Sequence, residues 1–94
     1  MKEQLKKLIK EFCEESDYEL YENYSGRFMY GRTCIGIVTD VNSLGLMYDL
    51  TAFIFQNLDE DEIEMNSQDI REFIGNAKMD NMGLSMIIYF PSLN

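Results

Sequence analysis

The 94-residue chain contains no histidine, which removes the commonest general base and the commonest metal ligand of proteins. It is also poor in cations: eight lysines and arginines stand against seventeen aspartates and glutamates, giving a formal net charge of -9. Binding to nucleic-acid phosphates or to anionic lipid needs clustered cations. The composition therefore predicts a protein that is not an enzyme, holds no metal or cofactor, and binds neither nucleic acid nor membranes directly.

Long apolar runs, proline and linkers are equally scarce. No stretch approaches the roughly 20 apolar residues that span a bilayer, and Pro91 is the single proline. The first residues lead into an amphipathic pattern rather than a signal peptide, so we expect a cytoplasmic protein. In a reducing compartment Cys13 and Cys34 are expected to be buried thiols rather than a disulfide. The length fits a single domain over residues 1–94.

Apolar spacing predicts three helices. Over 2–15, apolar residues recur at intervals of three and four, as they do along one face of a helix. The segment 43–58 is apolar around most of its circumference, which is typical of a helix covered on more than one side. A third helix is predicted over 67–79, and the acidic segment 59–64 is predicted to be a solvent-exposed connection.

Alternating patterns predict the strands, over 18–24, 33–39 and 84–90. The last of these is apolar on both faces, which places it inside the sheet. Residues 80–83 are predicted to form the turn before it, and 26–32 is either a short strand or an extended loop. This order of elements predicts an α+β fold, with a small mixed or antiparallel sheet of three to four strands and three helices packed mainly on one face.

The segment 24–33 is unusual because it carries two of the three arginines, beside glycines and aromatic residues. Arginine forks next to hydroxyls and flat rings can bind a phosphate, a nucleotide or a carboxylate. One interpretation is a small-ligand module for an anionic or nucleotide ligand. The other is a plain hairpin whose arginines neutralise Glu19, Glu22 or Asp40. The candidate ligand-binding residues are Tyr24, Ser25, Arg27, Tyr30 and Arg32.

The same region resembles part of a known group of proteins. From Ser25 to Val38 the chain reads S-G-R-x-M-Y-G-x-T-C-x-G-I-V, which is similar to a stretch in small, mostly uncharacterised proteins of bacteriophages and prophages. In those proteins glycine is usual at the position of Phe28, and lysine often stands at that of Arg32. The resemblance implies a cytoplasmic accessory protein of a mobile element and assigns no catalytic residue.

Negative charge concentrates over residues 11–22 and 59–64. A rigid acidic domain can present carboxylates to a basic groove and compete there with nucleic acid. Our leading interpretation is a non-enzymatic protein that associates with a host protein with a basic surface, for example as an inhibitor of a nucleic-acid-binding or defence protein. A homodimeric structural or assembly protein, built on 43–58 and 84–90, is another alternative. The candidate partner-binding residues are Glu14, Glu15, Asp17, Glu19, Glu22, Asp59, Glu60, Asp61, Glu62 and Glu64.

Overall fold

The computed structural model describes residues 1–40 and 43–94, and within these ranges it forms an α+β domain, as predicted. A 3₁₀ turn at Pro91–Leu93 follows the last strand. The helices are α1 (Lys2–Ser16), α2 (Ser43–Asn57), α3 (Glu60–Met65) and α4 (Ser67–Gly75), and the strands are β1 (Glu19–Tyr24), β2 (Cys34–Thr39), β3 (Lys78–Met82) and β4 (Ser85–Tyr89).

The four strands form one antiparallel sheet in the order β1-β2-β4-β3. β2 and β4 lie in the middle, where Ile37 is opposite Ile88. The prediction that the last strand is interior is therefore confirmed. β1 and β3 form the two edges of the sheet.

The helices cover one face of this sheet and bury most of the apolar core there. The stripe predicted on α1 is buried as a unit, and it packs with Ile35 and Ile37 of β2. On the other side of the same core, the rings of Phe73 and Phe90 lie with centroids 4.9 Å apart. Burial of each such side chain stabilises the fold by about 1.5–3 kcal/mol. The buried residues of α1 are Leu5, Leu8, Ile9, Phe12 and Cys13.

The opposite face of the sheet has a smaller apolar cluster, to which no helix residue in the described ranges contributes. Cys34, Ile87 and Tyr89 from the two central strands pack there with Met29, which comes from the β1–β2 loop (25–33). Both cysteines are free and buried, as predicted. Desolvation raises the pKa of the Cys13 thiol to about 11 and also raises that of Cys34, so both stay protonated near neutral pH.

The acidic segment 59–64 was predicted to be a connection, and this is wrong: most of it lies in α3. The Asp59 carboxylate accepts a hydrogen bond from the Glu62 N–H at 2.8 Å, and the Glu62 carboxylate accepts one from the Asp59 N–H at 3.2 Å. This reciprocal capping box satisfies backbone groups that a short helix otherwise leaves open. No residue of α3 is fully buried, and Ile63 is its half-buried contact with the core.

The region 67–83 also differs from its prediction. Helix α4 ends at Gly75 rather than at 79, and Asp80 and Asn81 belong to strand β3 rather than to a turn. The turn itself lies at Gly83 and Leu84. Aspartate and asparagine are depleted in strands. Their extended conformation is imposed here by pairing with β4.

Helix α2 is less covered than predicted. Leu46, Leu50 and Ile54 are buried in the core, whereas Tyr48 is 77% exposed and Phe55 is 40% exposed. The outer side of the helix is therefore uncovered. Only some of the apolar residues around the circumference of α2 therefore contact the core.

The capping box of α3 predicts a measurable stability difference. Asp59→Ala removes the acceptor for the Glu62 N–H and should lower the free energy of unfolding by about 1 kcal/mol in urea denaturation. The matched control is Asp61→Ala, an exposed carboxylate in the first turn of the same helix, with an expected change within about 0.5 kcal/mol. Equal losses in the two variants would contradict the capping role.

Candidate functional site

The β1–β2 loop is fixed to the sheet by Met29. Its side chain is 3% exposed, and its thioether sulfur accepts hydrogen bonds from the Gly26 N–H at 3.3 Å and from the Cys34 thiol at 3.8 Å. At Gly26 the backbone lies so close to the ring of Tyr89 that a Cβ there would overlap it. The loop is thus held against the open face of the sheet by Met29 and by the contact between Gly26 and Tyr89. Residue 26 has to be glycine because a Cβ would overlap the Tyr89 ring.

The residues on either side of Met29 adopt left-handed backbone conformations. Phe28 has φ 68° and Tyr30 has φ 55°, a region that costs a non-glycine residue roughly 1–2 kcal/mol. Both side chains are directed to solvent, with Phe28 76% and Tyr30 89% exposed. The loop therefore buries one side chain and displays its two neighbours.

Asp80 of β3 ties this loop to the edge of the sheet. Its Oδ2 accepts hydrogen bonds from the Tyr24 hydroxyl at 2.7 Å and from the Arg27 backbone N–H at 3.1 Å. Its Oδ1 accepts a hydrogen bond from the Tyr89 hydroxyl at 3.1 Å. The rings of Tyr24 and Tyr89 also pack together, with centroids 5.1 Å apart. We call Tyr24, Asp80 and Tyr89 the Asp80 cluster.

The ionisation of these groups follows from the hydrogen bonds. Desolvation acts to raise the pKa of Asp80, but hydrogen bonds from Tyr24, from the Arg27 N–H and from Tyr89 outweigh it, and the pKa is lowered. Desolvation and the bond to Asp80 raise the pKa of Tyr24 to about 12 and also raise that of Tyr89. At neutral pH the cluster therefore consists of one carboxylate and two neutral phenols.

Beside the Asp80 cluster lies an open groove of about 560 Å³ that is lined by three cations. They are Arg27 and Arg32 from the loop and Lys78 from β3. None of these side chains forms a salt bridge in the described part of the chain, and Glu22 pairs with Lys10 instead. Within the described residues no salt bridge joins either arginine to Glu19 or Glu22, and the pairing with Asp40 stays a prediction. The apolar walls of the groove come from Phe28, Met29, Met79, Met86 and Pro91.

The structure brings together only part of the predicted ligand-binding set. Arg27 and Arg32 line the groove, whereas Ser25 and Tyr30 do not. Tyr24 is also absent from the lining, because its hydroxyl is engaged by Asp80 and its ring by Tyr89. It supports the loop rather than offering a face for stacking.

Phe28 and Lys78 are among the lining residues that the sequence interpretation missed. Phe28 lay within the segment but was considered only as part of an aromatic pattern, and the left-handed backbone that exposes it leaves no signal in the sequence. Lys78 lies far along the chain and reaches the groove through the β3–β4 pairing. Since β3 was not predicted, nothing indicated that Lys78 would be near the arginines.

The first acidic cluster lies at the end of α1 and along β1. Asp17 ends the helix in a left-handed conformation, with φ 59°. Glu22 is held by Lys10, with Oε1 and Nζ 2.6 Å apart, so this carboxylate is partly neutralised. The other members carry no salt bridge within the described residues. All five are exposed: Glu14, Glu15, Asp17, Glu19 and Glu22.

The second acidic cluster lies in and beside α3, near the opposite end of α1. Gln4 donates a hydrogen bond to Glu62 at 2.8 Å and so holds α3 beside the start of α1. Asp59 and Glu62 are used in the capping box, while Glu60, Asp61 and Glu64 are exposed. At 1.5 Å per residue the 15-residue helix α1 is about 22 Å long. The two acidic clusters are therefore separate surfaces.

Comparisons with protein-family models, with curated proteins and with solved structures find no match. Among the described helices none is long and apolar enough to cross a membrane. In the same residues, no three cysteine, aspartate or glutamate side chains are grouped so that they could hold a metal ion.

The lowered pKa of Asp80 predicts a pH dependence of stability. A carboxyl group whose pKa is lower in the folded state stabilises the fold above its unfolded pKa, and this contribution is lost as pH falls through the folded pKa. Starting near the ordinary value of 3.8, the wild-type free energy of unfolding should fall more steeply with decreasing pH than that of Asp80→Asn. Urea denaturation at a series of pH values measures this difference.

The control for this titration is Asp61→Asn, which removes an exposed carboxylate that makes no contact with the Asp80 cluster. The slope of stability against pH should be closer to that of the wild type in this variant than in Asp80→Asn. If the free energy of unfolding changes with pH in the same way in the wild type and in Asp80→Asn, the hydrogen-bond network around Asp80 is contradicted.

Proposed function

We propose that the protein is a non-enzymatic binding protein whose acidic surfaces associate with a basic surface of another protein. The observation that carries this proposal is the presentation of α3. The helix is fixed by its capping box and by Gln4, has no fully buried residue, and displays Glu60, Asp61 and Glu64 to solvent.

Rigid presentation favours binding in two ways. Carboxylates on a fixed helix lose less conformational freedom on association than carboxylates on a mobile loop. The negative field of the whole chain also steers a basic partner and accelerates its encounter. The likeness of residues 25–38 to phage and prophage proteins supports a cytoplasmic accessory role towards a host protein, such as occupation of a groove that otherwise holds nucleic acid.

The test neutralises α3 without breaking its cap. The combined variant Glu60→Gln, Asp61→Asn and Glu64→Gln leaves Asp59 and Glu62 in place. A basic protein captured by the wild type from a host extract at low salt should bind this variant about tenfold or more weakly, mainly through slower association. Wild-type binding should also be lost near 1 M salt, where the screening length is about 3 Å.

The charge-matched control removes three carboxylates elsewhere, with Glu3→Gln, Asp49→Asn and Glu72→Gln. It should bind almost as the wild type does, and a parallel variant at Glu14 and Glu15 reports on the other acidic cluster. Binding that is unchanged from low to high salt, or equally weakened by the control, would contradict the proposal.

A second candidate function is favoured by the groove. Arg27, Arg32 and Lys78 are three of the eight cations of the chain, and they line one groove without salt-bridge partners among the described residues. Arginine forks in a concave site are suited to an anionic small ligand such as a nucleotide. The Arg32 Nε also donates a hydrogen bond to the Met29 carbonyl at 3.4 Å, which uses part of its fork within the loop. In this role the protein would be a small-ligand module.

Thermal stabilisation by a panel of nucleotides tests this second candidate. An effective nucleotide should raise the melting temperature of the wild type, and Arg27→Ala or Arg32→Ala should remove most of that shift. Arg71→Ala, an exposed arginine on α4 outside the groove, is the control and should keep it. A panel that produces no shift in the wild type would remove the nucleotide as a ligand.

A further inference from the structure

The outer edge of β3 is a free strand edge beside the cationic groove. β3 pairs with β4 over five consecutive residue pairs, from Lys78–Tyr89 to Met82–Ser85, with no shift of register. Within the described residues it has no strand neighbour on its other side, and no other backbone segment hydrogen-bonds to it. Such an edge presents a row of N–H and C=O groups that an extended chain can pair with.

The other edge of the sheet is protected, and the contrast shows which edge is receptive. β1 has a register shift between Tyr21 and Tyr24, which interrupts the regular ladder. Such an irregularity is one of the usual means by which proteins prevent strand addition. β3 has no comparable bulge, and its two charged residues, Lys78 and Asp80, line the groove.

The groove follows β3 and provides a second wall for an added segment. Residues 78–81 line it from the strand, and Arg27, Phe28 and Arg32 line it from the loop. Met79 is 52% exposed, and Phe28 is exposed on the opposite wall. An extended segment in this groove would therefore meet backbone groups on one side and apolar and cationic side chains on the other.

From this geometry we infer that the groove binds an extended acidic segment of a partner protein, which adds to β3 as a fifth strand. The inference rests on the second candidate function in one respect only, namely that Arg27, Arg32 and Lys78 hold negative charge. It replaces the small ligand with a peptide in which acidic residues recur at every second position.

Two features favour an extended peptide over a compact polyanion. Asp80 is ionised and lies in the groove, so a dense cluster of phosphates would be repelled by it. In an extended segment, alternate side chains are about 6.6 Å apart on the same side. Carboxylates at that spacing can reach separate cations on the side of the sheet where Lys78 lies, and the side chains between them lie on the side of Met79.

The probe is a short peptide of valine, threonine and glutamate, capped at both ends, with glutamate at every second position. We expect it to bind the wild type and to slow hydrogen exchange of backbone amides within Lys78–Met82. Replacing its glutamates with glutamine, or introducing Arg27→Ala with Arg32→Ala into the protein, should weaken binding about tenfold or more. Arg71→Ala is the control and should bind as the wild type does.

A second probe has the same charges but carries N-methyl groups on alternate amides, so it cannot form a ladder. If strand addition is correct, this peptide does not bind measurably. Equal binding of the two peptides would overturn strand addition but would agree with an anion site at Arg27, Arg32 and Lys78. No binding of the first peptide, together with stabilisation by a nucleotide, would also overturn it and support the second candidate; no response to either ligand would overturn both.

Discussion

The two central strands carry apolar side chains on both faces of the sheet, so both faces need a cover. Under the helices, Ile37 and Ile88 are buried in a large core, while Ile87 and Tyr89 on the other face are covered mainly by Met29. A single loop therefore covers apolar side chains on this face, whereas several helices cover those on the opposite face. Met29 packs against this face, while its neighbours Phe28 and Tyr30 take left-handed conformations and are exposed to solvent. The loop that covers this face also forms one wall of the groove.

Where local pattern determined the structure, the sequence was sufficient to predict it. The apolar stripe of α1 and the alternation of β2 and β4 led to the correct elements and to the correct fold class. Strand β3 was missed because Asp80 and Asn81 are poor strand formers, and only the distant partner strand β4 holds them extended. Helix α3 was missed although its signal was present, since Asp59 and Glu62 have the spacing of a capping box.

The candidate site was predictable only as far as it is local in sequence. Arg27 and Arg32 could be placed together because one short loop carries both. The group that fixes this loop could not be found in the same way, since Asp80 binds the Arg27 N–H across 53 positions of the chain. The same β3 pairing that hides Asp80 from a pattern search also brings Lys78 to the groove. Long-range strand pairing, rather than residue type, thus limits what the sequence reveals about the site.

Different residues of the β1–β2 loop serve folding and ligand binding, as the contact between Gly26 and Tyr89 shows. Residue 26 must lack a side chain because the tyrosine ring occupies that space, and Met29 must fill the open face of the sheet. The side chains of Arg27 and Phe28 are exposed and fill no space in the fold, whereas the Arg32 Nε donates a hydrogen bond to the Met29 carbonyl at 3.4 Å. Substitutions at Arg27 therefore change the charge of the groove at little cost to the fold. A loop that is held in place by Gly26 and Met29 can acquire new binding partners through a small number of substitutions.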